Sequence, residues 1–216
     1  MTDPYAAYHQ PPTHTPGSPP RRRALVIGVA VAAGVVLLAI AIVVPAWIGT
    51  KVRGDLERAF AEANLDEVVV FTDLPRDHVD GRVDYAHEPP AGGPHYRAWL
   101  DCGVYDVPVP NEPTVHSLEH GTVWITYDPS LAADDVADLE RLLPDDGILS
   151  PYAGQPAPVV VTVWERQLLL DGADDPRLPL FIEQYQDGHT SPEPMASCRG
   201  GLSLEEAEAL FAGESV

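Results

Sequence analysis

Basic residues are scarce in this 216-residue chain, with 13 Lys and Arg against 33 Asp and Glu. A surface so acidic repels phosphate backbones and anionic head groups, which excludes nucleic acid as a partner and leaves cations and basic peptides open. Cysteine is nearly absent too. Only Cys102 and Cys198 occur, so there is no Cys-x-x-Cys and no thiol-rich metal site. The chain also lacks a Gly-x-Ser-x-Gly elbow, a phosphate-cradling glycine loop and any internal repeat. Paired acids such as Asp134-Asp135, Asp145-Asp146 and Asp174-Asp175 fall at helix starts and turns, where solvated caps explain them.

What is present is first a long uncharged run. Residues 24–48 contain no charge and are built from Ala, Val, Ile, Leu and Gly with Pro45 and Trp47 late in the stretch. At 1.5 Å per residue about 20 such residues cross the hydrocarbon core, so the run reads as one transmembrane helix. It is too long, and starts too far into the chain, for an ordinary signal peptide. Arg21, Arg22 and Arg23 abut its N-terminal end, and the positive-inside rule then puts the N-terminus in the cytoplasm and the rest outside. Residues 1–23 form a proline-rich tail that cannot bury enough apolar surface to order itself.

Beyond the span, residues 49–66 read as a juxtamembrane helix stopping near Asn64, and 67–216 as one extracytoplasmic domain. That domain has a compact two-layer α+β pattern with a large irregular segment at 74–114, where seven prolines and four glycines forbid long regular elements. Expected strands lie at 67–71, buried because of its valine run, at 122–127 and at 159–164, with 167–170 continuing or pairing with the last. Helices are expected at 113–120, from a Ser130 cap to Pro144, at 178–186, and from a Ser203/Glu206 capping box to Gly213. In an oxidising compartment Cys102 and Cys198 are expected to pair, which closes a long loop.

Six of the eight histidines follow the span, and the notable group is His116-Ser117-Leu118-Glu119-His120. On a helix, positions i, i+3 and i+4 share a face, so both imidazoles and the carboxylate point one way. Two imidazoles one turn apart form half of many metal sites. The string also matches the inverted zinc-protease signature, but Gly121 ends the helix at once and no long helix downstream supplies a third ligand, so a metal-dependent hydrolase is the weaker alternative.

Several segments carry a resemblance: Asp77-His78-Val79, Pro89-Pro90-Ala91-Gly92-Gly93-Pro94-His95, Cys102-Gly103-Val104-Tyr105-Asp106, and Val115 through Gly121 followed by Val-Trp-Ile-Thr-Tyr. They continue through Ser150-Pro151-Tyr152, residues 158–167, and Ser191-Pro192-Glu193-Pro194 with Cys198. Together these resemble a bacterial domain-of-unknown-function family, number thirty-one-oh-five in its series, over nearly all of residues 65–202. One departure is the stretch Thr162 to Arg166, where the family more often has a Trp-Gly pair. The resemblance implies an envelope-facing domain, often tethered by one N-terminal span, with no established activity. It also places His78, His95, His116 and His120 in the family's motif segments.

From these residues we expect His95, His116 and His120 to converge on one centre, with Glu119 as ligand or supporting partner and His78 completing the set. Imidazole ligands suit zinc or copper. Met195 is the one soft donor beyond the span once the thiols are paired, so zinc or copper(II) fits better than copper(I). The competing reading is an envelope protein-interaction module, partner unknown, in which the histidines only tie loops together.

Overall fold

The computed structural model describes the backbone of residues 21–212, and within the first helix it describes side chains only at 38, 40–55 and 57–62. The expected tail at 1–20 and most of the expected span, residues 24–37 and 39, therefore lie outside the described residues or side chains. Among the described residues no helix is long and apolar enough to cross a membrane. The chain divides into two units, 1–56 and 57–216. Helix α1 (Arg21–Glu62) contains Pro45 and ends short of the expected Asn64, whose side chain instead accepts the Asp66 N–H in a turn.

The second unit is an α+β domain around a six-stranded mixed sheet. Its strands are β1 (Val69–Val70), β2 (Gly103–Val104), β3 (Val123–Tyr127), β4 (Gly147–Pro151), β5 (Val159–Val163) and β6 (Arg166–Leu170), in the spatial order β1-β6-β5-β3-β4-β2. β3 pairs in parallel with β4 and antiparallel with β5, and β5 and β6 form a hairpin. Helix α3 (Ala133–Leu142) links the parallel pair, as a parallel connection requires.

Strand alternation explains the packing. Val123, Ile125, Tyr127, Leu149, Val159, Val161 and Val163 face one side, where they meet Leu139 of α3 and Leu178, Phe181 and Ile182 of α4 (Arg177–Tyr185). Trp124 and Ile148, register partners on neighbouring strands, face the other side. There they pack with Val115 and Leu118 of α2 (Asn111–Glu119), Ala207 of α5 (Leu204–Ala209), and Leu100 and Val109 of the irregular segment. The sheet is thus covered on both faces, and the two-layer expectation gives way to three layers. Sheet strands buried on both faces read as continuous apolar runs, which is how β5 (VVVTV) reads.

Four local expectations are corrected. The valine run at 67–71 is not a buried strand: only Val69–Val70 pair, at an exposed sheet edge, because β6 is their sole neighbour. Ser130 does not cap α3, since its hydroxyl and N–H both turn to Asp128 and the helix starts three residues later. Strand β4 was not expected, because Gly147–Pro151 becomes a strand only through its pairing with β3. The last helix ends at Ala209, although its capping box from Ser203 to Glu206 forms as read. The Cys102–Cys198 disulfide is present, with a Cα–Cα distance of 5.2 Å across 96 residues.

Candidate metal centre

Helix α2 begins after Pro110, whose carbonyl accepts the Thr114 hydroxyl at 2.7 Å, and Pro113 in its first turn needs no N–H partner. It ends because Gly121 takes φ 95 and donates back to the Leu118 carbonyl. The helix is almost wholly buried, and Ser117 donates its hydroxyl to the Leu100 carbonyl at 2.8 Å, fastening the irregular segment to it. On its face toward that segment stand His116 and, three residues on, Glu119.

The other two contributors arrive on loops. Asp77–Val79 and His95 lie side by side as a short parallel bridge, with Val79 donating to the His95 carbonyl at 2.8 Å and His95 to the Asp77 carbonyl at 3.0 Å. His95 is presented by the Gly92-Gly93-Pro94 turn. Gly92 has φ +136, and a Cβ there would sit 2.8 Å from Leu74 and about 3.2 Å from the Trp164 ring, so only glycine fits.

The result is a triangle of rings. His78, His95 and His116 have mutual ring-centroid distances of 4.8–4.9 Å. One ligand atom from each of these, together with a carboxylate oxygen of Glu119, lie within 4.8 Å of one another. A tetrahedral zinc ion with bonds of about 2.0–2.1 Å holds its ligand atoms about 3.4 Å apart, so the widest pair must draw together by up to roughly 1.4 Å.

Proton positions at two rings are fixed by their partners. Nδ1 of His95 lies 2.8 Å from the Gly93 carbonyl, and Nδ1 of His116 lies 2.8 Å from the Tyr96 carbonyl. A carbonyl can only accept, so each Nδ1 carries the proton and each neutral ring presents a bare Nε2 lone pair, the form that binds metal. Both rings are pushed toward the neutral form. Burial pushes His116 down to about 4, with the neighbouring His95, His120 and His78 adding to the shift and the Tyr96 carbonyl opposing it. Burial likewise lowers His95, against the opposing pull of the Gly93 carbonyl and Glu119.

That leaves one buried atom of the centre unsatisfied. His95 is fully buried and, among the described residues, its Nε2 has no hydrogen-bond partner, although Glu119 Oε2 is only 3.0 Å away. With its proton on Nδ1, turned to the Gly93 carbonyl, the neutral ring has no proton on Nε2 to give. A lone pair facing a carboxylate at this distance is unfavourable unless a proton or a metal cation lies between them.

His120 is placed differently. Its Nδ1 faces the Ser197 carbonyl at 3.1 Å and its Nε2 faces Glu193 at 3.6 Å, so both nitrogens are directed at the loop after α4. The structure brings together His78, His95, His116 and Glu119, and leaves His120 beside them, 4.7 Å from the His116 ring but outside the shared centre. Of the two histidines of the His-x-x-Glu-His string, only His116 is among the ligand atoms that lie within 4.8 Å of one another. Residues that sequence reasoning passed over support the site. Trp99 packs against both His116 and His120 and donates its ring N–H to the Cys198 carbonyl at 3.1 Å. The Gly93 and Tyr96 carbonyls are backbone groups whose identity leaves no mark in the sequence, though the Gly-Gly-Pro string does announce the turn. Cys102, Cys198 and Asp146 also lie together, but the two sulfurs are joined to each other and offer no thiolate.

A family model described as Protein of unknown function (DUF3105) matches residues 78–200, the stretch that holds every residue of this centre. No curated protein and no solved structure matches the chain.

Proposed function

Because the chain belongs to the DUF3105 family, whose description assigns no activity, we propose a function from the site itself: a domain that binds one divalent ion, zinc or copper(II), through His78, His95, His116 and Glu119. The observation that carries this reading is the buried Nε2 of His95, without a hydrogen-bond partner among the described residues and 3.0 Å from Glu119 Oε2. A histidine serving only to tie loops together has no need of a buried nitrogen without a hydrogen-bond partner. Three imidazoles and a carboxylate suit zinc or copper(II) by donor type. Calorimetric titration of the purified chain with Zn(II) and Cu(II) is expected to give one site per chain. Heats no larger than those of a His116→Gln variant would remove the reading.

We further propose that residues 24–48 anchor the chain in a membrane and that the domain faces away from the cytoplasm. The uncharged run, the arginines at 21–23 and the disulfide support this. A reporter active only outside the cytoplasm should work when fused after Val216 and fail when fused before Arg21, and the reverse pattern would overturn the orientation.

A further inference from the structure

The four ligands differ sharply in how they are held. His95, His116 and Glu119 are buried, at 0%, 5% and 5% exposure, whereas the His78 side chain is 51% exposed. The rings of His95 and His116 are each locked at Nδ1 by a backbone carbonyl. Among the described residues no hydrogen bond holds Nδ1 of His78. Its Nε2 stands 3.9 Å from Glu119 Oε2, and the ring is stacked on His116 at an interplanar angle of 23°. Its backbone belongs to a mostly exposed strip, residues 76–80, joined to the domain by the two hydrogen bonds to the His95 segment and by the Arg97–Asp80 ion pair.

Resting on the metal-binding reading, we propose that His78 is the exchange ligand of this centre: the ion enters and leaves on the His78 side, and a neutral nitrogen donor from solution can take the position of His78. Of the four groups only His78 can swing away without breaking an anchoring hydrogen bond or opening the core. The step is a ligand substitution. One metal–nitrogen bond to His78 breaks, one to the incoming donor forms, the imidazole departs neutral, and no electron or proton changes hands. Glu119 supplies the one negative charge throughout, so a neutral donor leaves the charge of the centre unchanged. An anionic donor must approach a strongly acidic domain and is disfavoured. A site with three fixed ligands and one yielding ligand is built to load and release its ion, unlike a closed structural zinc site in which all four ligands are buried.

The test loads the full chain with Co(II) and follows its loss to excess chelator, for the unaltered protein, His78→Ala and His95→Ala. His78→Ala is expected to take up Co(II) but release it roughly tenfold faster or more, on the scale that even outer-shell changes reach. Added imidazole should slow the release back toward the unaltered rate. His95→Ala should bind weakly and should not be rescued, because no open path leads to its position. His78→Gln serves as a second variant, expected to release fast and to resist rescue, because its side chain fills the opening. Release from His78→Ala at the unaltered rate, no effect of imidazole on it, or equal rescue of His95→Ala would each overturn the proposal while leaving metal binding intact. Failure of the unaltered protein to take up Co(II) would remove the metal-binding reading, and the exchange role with it.

Discussion

The sheet side of the domain and the loop side are held by different physics. Where α3 and α4 cover β3, β5 and β6, stability comes from interdigitated Val, Leu, Ile and Phe side chains, with few polar obligations. On the other face, residues 74–110 contribute only a two-residue strand to regular structure and are fastened by individual polar contacts. Among these are Ser117 to the Leu100 carbonyl, Gln167 to the Pro89 carbonyl, Tyr85 to the Pro94 carbonyl, and the disulfide. The lesson is that burial builds the platform while point contacts aim the histidines, so damage to the first should unfold the domain and damage to the second should misplace the site.

The largest effect is expected on the platform. Phe181→Ala removes a fully buried ring between α4 and the sheet and should cost about 3–5 kcal/mol, measured by denaturant unfolding, with metal uptake lost only in proportion to unfolding. If the variant stays folded but loses the site, the division between platform and loops is wrong. Replacing Cys102 and Cys198 together by Ser should cost about 2–5 kcal/mol, read by the same unfolding titration. Because Trp99 is bonded to the Cys198 carbonyl, the fluorescence of the loop side should shift before the sheet melts.

Gly92→Ala is expected to cost about 1–3 kcal/mol through strain at positive φ and the clash with Leu74 and Trp164. Unlike Phe181→Ala, it should weaken metal binding in protein that is still folded, because the turn it distorts carries His95. The smallest effect has the opposite sign. Glu165 occupies the tight turn between β5 and β6 with φ 62, where a side chain is strained and glycine is not. Glu165→Gly should stabilise the hairpin by about 0.5 kcal/mol, visible as a higher unfolding midpoint, without altering the loop side.

The same contrast governs what could be read from the sequence. Strands β3 and β5 and helix α4 were legible because their apolar runs and flanking turns are local. The capping box at Ser203 and Glu206 was legible because its two residues are three apart. Strand β4 was hidden because Gly-Ile-Leu-Ser-Pro has no strand signature of its own and exists through its parallel neighbour. The valine run at 67–71 misled because nothing in it tells a buried strand from an exposed edge. At the site, helical spacing correctly put His116 and Glu119 on one face, and the Gly-Gly-Pro turn pointed to His95. Spacing could not separate His116 from His120. That choice is made by acceptors far along the chain, the Tyr96 carbonyl for one ring and the Ser197 carbonyl and Glu193 for the other.

The most direct test of the central claim is therefore the metal content of three forms of the full chain after equilibration with Zn(II) and removal of unbound ion: unaltered, His116→Gln and His120→Gln. The account predicts one ion per chain in the unaltered protein and in His120→Gln, and none in His116→Gln. Equal loss in both variants, or zinc retained in His116→Gln, would contradict it.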